Sequence, residues 1–104
     1  MQEQAVTLIK EVLQKRGIKV LKILLFGSRA RRDFHPDSDW DFLVVVENDL
    51  NFQEKHDIIT EIQRRLAVLR IPNDIVIQSE SRFNLMKNYV GNTSYYAARE
   101  GIEV

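Results

Sequence analysis

Between residues 3 and 16, Ala5, Leu8, Ile9, Val12 and Leu13 recur at helical spacing, and Gly17 suits the left-handed position that closes a helix. An amphipathic helix is expected there. Residues 19–26, KVLKILLF, are rich in branched apolar side chains, too short for an independent helix, and stop at Gly27, which predicts a buried strand. The polar, basic loop from Gly27 to Ser38 contains His35-Pro36-Asp37-Ser38, a run with turn chemistry in which Asp37 is expected to shape the turn. A second strand then runs from Asp39 to Val46. Asn51, with Glu54 three residues on, resembles a capping box, and Ile58, Ile59, Ile62, Leu66 and Leu69 mark one face of the helix that follows and covers the sheet. Pro72 ends the helical pattern and biases Ile71 toward extended backbone, so Asp74 to Gln78 reads as a third short strand. Ser81 to Val90 is predicted as a helix with Phe83, Met86 and Val90 inward, and Gly91-Asn92 breaks it before a short segment from Ser94 to Glu100. Gly101 to Val104 is either an edge strand or a frayed end. The order αββαβ followed by helical segments predicts an α/β (α+β) fold, a small sheet with helices packed on it.

Length and composition narrow the classes. A chain of 104 residues accommodates one compact domain, expected to span 1–104, and no segment has the apolar length of a membrane span. The first residues carry Gln and Glu where a secretory signal would carry a basic patch and an unbroken apolar run. With no cysteine there are no disulfides and no thiolate metal sites, which agrees with a cytoplasmic location. The 15 basic and 15 acidic residues cancel, so no whole-molecule field favours nucleic acid, and direct nucleic-acid binding is not expected.

The stretch LLFGSRARRDFHPDSDWDFLVVV, residues 24–46, places polar chemistry between two strongly apolar runs. In a strand, residues i and i+2 share a face, so Asp39 and Asp41 project side by side. Adjacent carboxylates repel, and one is pushed toward protonation unless a cation makes both ionised forms favourable. A hard divalent ion such as Mg²⁺ supplies that cation, takes oxygen ligands and keeps positions open for substrate phosphates. Asp74 stands at the mouth of another apolar run, and if its strand lies beside the second, the three carboxylates form a patch able to hold two ions. Gly27-Ser28 follows the first strand, where glycine permits a tight turn and a hydroxyl with backbone N–H groups can hold phosphate oxygens.

Gly27-Ser28-Arg29-Ala30-Arg31, followed by Asp39-Trp40-Asp41 and an apolar strand, resembles the minimal nucleotidyltransferase group of the polymerase-beta-like nucleotidyltransferase superfamily. The resemblance covers nearly the whole chain: Asp74-Ile75-Val76 looks like the strand bearing the family's third carboxylate, and Ala98-Arg99-Glu100-Gly101-Ile102 looks like its usual tail. It implies a single minimal nucleotidyltransferase domain with a small mixed sheet. It further implies that Gly27 and Ser28 bind the triphosphate, that Asp39 and Asp41 ligate both Mg²⁺ ions, and that Asp74 completes the site and assists the attacking hydroxyl. Arg29 and Arg32 join Gly27 and Ser28 as candidate nucleotide contacts. The family most often has glycine where this chain has Arg32, which implies a differently shaped loop in which Arg32 either adds a phosphate contact or weakens turnover by its bulk. The reaction implied is transfer of AMP from ATP to a hydroxyl, with pyrophosphate leaving. Members of this group are commonly antitoxins that attach AMP to a tyrosine of a HEPN toxin.

Blander readings stand beside these. The aspartates taken alone could be a solvated acidic loop at a strand entrance, Asn73-Asp74 could be ordinary turn residues, and Arg29, Arg31 and Arg32 could be a solvated face. Ser28 could cap a short helix, a role compatible with phosphate binding. His35 and His56 lack partners at any familiar metal spacing. Trp40, between the aspartates, must face away from them, and Tyr89, Tyr95, Tyr96 and Phe83 read as C-terminal packing or an interface. An inactive nucleotidyltransferase fold that neutralises a toxin by masking it is the alternative function. A small-molecule transferase is less attractive, because such enzymes usually add a second domain for the acceptor. Base preference, acceptor and self-assembly are not legible.

Overall fold

In the computed structural model, which describes residues 1–104, α1 (Gln2–Lys15) leads into β1 (Val20–Phe26), α2 (Ser28–Arg31) and β2 (Trp40–Val46). They are followed by α3 (Phe52–Val68), β3 (Asn73–Ser79), α4 (Glu80–Met86), α5 (Thr93–Glu100) and β4 (Ile102–Glu103). The strands form one sheet in the order β3-β2-β1-β4. β1 runs antiparallel to β2 and to β4, whereas β2 and β3 are parallel. The sheet is mixed because β1 and β2 are joined by a loop while α3 carries the crossover that a parallel pair requires.

Alternation along β2 distributes its side chains between two layers. Phe42, Val44 and Val46 join α1 and α3 in a cluster of 16 buried residues, and Leu43 and Val45 meet Leu24, Phe83 and Ala97 in a cluster of 5 on the other face. Each fully buried Leu, Ile, Val or Phe contributes about 1.5–3 kcal/mol, so the larger cluster supplies most of the stability. The smaller one decides where α4 and α5 dock. By the same alternation Asp41 lies on the thinly covered face with Leu43 and Val45, and Asp74 lies there with Val76.

Several predicted elements differ in extent. α4 begins where β3 ends, because Ser79 Oγ accepts the Arg82 N–H at 3.2 Å, and it ends at Met86 rather than Val90. Asn92 is the cause of the early stop: its side-chain amide donates to the carbonyls of Met86 and Tyr89, while its Oδ1 accepts the Tyr95 N–H and starts α5. Val90, expected inward, is therefore 77% exposed. Leu69 lies past the end of α3 and is also exposed, while Ile58, Ile62 and Leu66 are fully buried as the pattern requires. Asn51 does cap α3, accepting the Glu54 N–H at 2.7 Å. The C-terminus pairs rather than frays, with Val104 donating to the Ile23 carbonyl beside the β4 ladder. No helix is long and apolar enough to cross a membrane.

Candidate active site

The C-terminal end of β1 and the N-terminal ends of β2 and β3 open on one edge of the sheet. There Phe26 pairs with Asp41, and Asp41 pairs with Asp74. The loop after β1 must turn at once to clear this edge, and Gly27 does so with φ +74° and ψ −158°, a region that only glycine visits without strain. Space makes the same demand: a Cβ at Gly27 would lie 2.1 Å from Asp41 Oδ2. The loop backbone and the Asp41 carboxylate are thus in contact. Ser28 is the first residue of α2, a single helical turn, and Gly27 rather than Ser28 holds the capping position.

In-register pairing sets Asp41 and Asp74 side by side, and Asp39, which stands just before β2 rather than within it, lies near enough for its charge to act on Asp41. The Asp41 carboxyl is pushed up from its ordinary 3.8 to about 6, first by burial and then by the negative charges of Asp74 and Asp39; Arg31 opposes the rise and Glu100 adds to it. No Lys, Arg or His forms an ion pair with any of these three aspartates. This donor set, all carboxylate oxygen with its repulsion unrelieved, fits a hard divalent cation. As the side chains stand, however, no three Asp, Glu or His groups are gathered closely enough to hold a metal ion.

A stability effect follows from the raised Asp41 value. The folded state holds this proton more tightly than the unfolded chain, so its stabilising contribution is complete below pH 3.8 and is lost as pH rises through about 6. Two units correspond to nearly 3 kcal/mol at most, and solvent screening of the part-exposed group reduces this to about 1 kcal/mol. Asp41→Asn is expected to stabilise the fold by that amount near pH 8 and by nothing near pH 3.5, as read from urea denaturation at the two pH values.

The basic cluster divides by role. Arg29 is committed to the loop: its Nε and Nη2 donate to the Ser38 carbonyl, its Nη2 also to that of Pro36, and its guanidinium lies 4.5 Å from both the Phe34 and Trp40 rings. Trp40 faces away from the aspartates, packed on the larger cluster and stacked on Phe42. Arg29 thereby anchors the backbone immediately before Asp39. The turn that precedes Asp39 is tied by His35 and Ser38, with the His35 N–H donating to Ser38 Oγ. Arg31 pairs with Asp33 and with Glu100. Arg32 is exposed and closes α2 at φ +67°, ψ 24°, the left-handed conformation natural to glycine. The cost to a non-glycine residue is about 1–2 kcal/mol, partly offset by the entropy glycine loses on folding. Arg32→Gly is therefore expected to gain about 0.5 kcal/mol in chemical denaturation. Glu100, which sequence reasoning did not single out, has its carboxylate on the Gly27 N–H at 3.1 Å.

This loop-and-carboxylate edge has known relatives. A profile described as polymerase beta, nucleotidyltransferase matches residues 7–95. A Methanocaldococcus jannaschii protein provisionally named a protein adenylyltransferase is 34% identical over 71 residues, which make up 68% of this chain and 66% of that relative. The chain belongs to the polymerase beta nucleotidyltransferase family. Among solved structures, an MntA-HpeT toxin-antitoxin mutant has a TM-score of 0.65 at 16% identity, over 99% of this chain and 71% of that one. A tri-AMPylated Shewanella oneidensis HEPN toxin in complex with MNT antitoxin gives 0.59 at 18%, over 99% and 71%. A toxin-antitoxin structure with AMP-PNP gives 0.55 at 20%, over 93% and 69%. At these identities the likeness establishes the nucleotidyltransferase fold.

Proposed function

We propose that the protein transfers AMP from ATP to a tyrosine hydroxyl of a HEPN-type toxin and thereby acts as an antitoxin. The observation that carries this reading is the in-register pairing of Asp41 with Asp74, with the charge of Asp39 close by, against the Gly27-Ser28 turn. The M. jannaschii relative's name and the AMPylated toxin in the S. oneidensis complex support the choice of reaction and acceptor.

In this reading Gly27 and Ser28 receive the triphosphate, Arg32 reaches its outer phosphates from the exposed end of α2, and Asp74 takes the proton of the incoming hydroxyl. Arg29 serves the site through the loop. With its donors on Ser38 and Pro36, it holds the backbone that presents Asp39. Asp39, Asp41 and Asp74 would hold Mg²⁺, two ions in the full site, which when bound neutralises phosphate charge and lowers the pKa of the hydroxyl. The hydroxyl oxygen forms a bond to the α-phosphorus as the bond to the β-phosphate oxygen breaks, and pyrophosphate leaves. Alignment on a rigid strand edge removes much of the entropic barrier.

A second reading, a masking module that neutralises the toxin without chemistry, is favoured by one observation: the carboxylates are not gathered for a metal as they stand. The deciding experiment incubates the purified protein with Mg²⁺, α-labelled ATP and a HEPN protein encoded beside it. Label on the HEPN protein is expected. Its absence, under conditions where the two proteins bind each other, would leave masking as the function.

A further inference from the structure

We infer that Glu100 is a positioning residue that clasps the phosphate-facing turn, an inference that rests on the nucleotidyltransferase reading of the site. One oxygen, Oε1, accepts both the Gly27 N–H at 3.1 Å and Arg31 Nη1 at 3.0 Å, 73 and 69 residues away along the chain. The first bond holds the residue that makes the turn; the second holds the helical turn that follows it. Both therefore depend on a residue at the far end of α5.

The fold allows Glu100 little choice of place. Ala97, one helical turn earlier, is buried beside Leu24 in the smaller cluster. Immediately after Glu100 the chain leaves the helix at Gly101, where a Cβ would lie 2.1 Å from the Ala97 carbonyl oxygen. Ile102 then pairs with Leu25, near the end of β1 that runs into Gly27. Helix packing on one side and strand pairing on the other deliver the carboxylate to the turn. Its side chain is 26% exposed, and Gly27 also lies against Asp41. The turn thus meets two carboxylates, Glu100 on the Gly27 N–H and Asp41 against its Cα.

Glu100 takes the Gly27 and Arg31 donors and bonds neither Ser28 nor Arg29, whose N–H groups open α2 and have no intrahelical acceptor. The clasp shapes the turn and leaves these donors free.

The test uses the full chain as wild type, Glu100→Ala and Glu100→Gln, and measures amide hydrogen exchange by NMR without nucleotide, then affinities for Mg–ATP and Mg–AMP by calorimetry. Loss of one charge-assisted hydrogen bond implies about tenfold faster exchange at Gly27 and about tenfold weaker Mg–ATP binding in Glu100→Ala. Mg–AMP affinity should stay within about twofold of wild type, and Glu100→Gln, whose amide oxygen accepts the same N–H, should restore most of both losses. Unchanged Gly27 exchange in Glu100→Ala overturns the clasp. Faster exchange with equal or tighter Mg–ATP binding overturns positioning and makes Glu100 a competitor of phosphate, and equal losses for AMP and ATP reduce it to a structural contact. If wild type itself does not bind Mg–ATP, the reading of the site fails and the role fails with it; the exchange measurement, made without nucleotide, tells that failure apart from a broken clasp.

Discussion

Asp41→Asn is expected to lower AMP transfer to the partner by about a thousandfold, equivalent to about 4 kcal/mol of transition-state stabilisation, while leaving the fold intact. Asp41 is the residue where the site's demands meet. It pairs with Phe26 on one side and Asp74 on the other, and its carboxylate packs on Gly27. An amide of nearly the same shape keeps those contacts, yet loses the charge that a divalent ion needs. Because ionised Asp41 is itself destabilising, the variant should melt no lower than wild type at neutral pH, so lost activity would not be confused with lost structure. The measurement is labelled AMP transfer, with thermal unfolding and partner binding recorded on the same samples. Transfer within about tenfold of wild type would sink Asp41's proposed role at the metal. Lost transfer with intact toxin neutralisation would show that masking suffices.

Gly27→Ala should cost about 3 kcal/mol of folding stability, well above an ordinary surface substitution. The residue's φ and ψ lie in a region that side chains avoid, at roughly 1–3 kcal/mol, and the new methyl would overlap Asp41 Oδ2. Gly91 separates the two causes, since it also has a positive φ, +99°, but nothing lies within 4 Å of its would-be Cβ. Gly91→Ala should therefore cost only the backbone part. In an Asp41→Ala background the Gly27→Ala cost should fall by about 1 kcal/mol or more, the coupling expected of groups in contact. Urea denaturation of the single and double variants gives that coupling. Strict additivity would mean that the turn relaxes away from the strand edge.

The element pattern was legible because its causes are local. Helical spacing in α1 and α3, branched apolar runs in β1 and β2, and the Asn51 cap each depend on residues within a few positions of one another, and all appear where expected. The misjudged end of α4 has a local cause too, but a weak one. Asn92 reaches back to Met86 and Tyr89 with its amide, and nothing in residues 87–90 themselves signals that the helix has finished. The candidate site was half legible. The period of a strand nominated Asp39 and Asp41 together, although β2 begins only at Trp40, and Gly27 and Ser28 follow a strand end, so those residues could be nominated directly.

Sequence alone thus determined the alternation of helices and strands, the nomination of Asp39 and Asp41 at the start of the second strand, and a chain without cysteine or net charge. The rest depended on which strands became neighbours. Parallel pairing with β2 set Asp74 opposite Asp41, and a shift of one residue would have turned it to the other face of the sheet. Docking of α5 and β4 brought Glu100 to Gly27 across 73 residues of chain. Folding of the loop onto Phe34 and Trp40 committed Arg29 to Ser38 and Pro36. Such contacts have no periodic signature, because they depend on register and packing between segments far apart in sequence, and the tertiary structure alone decided them.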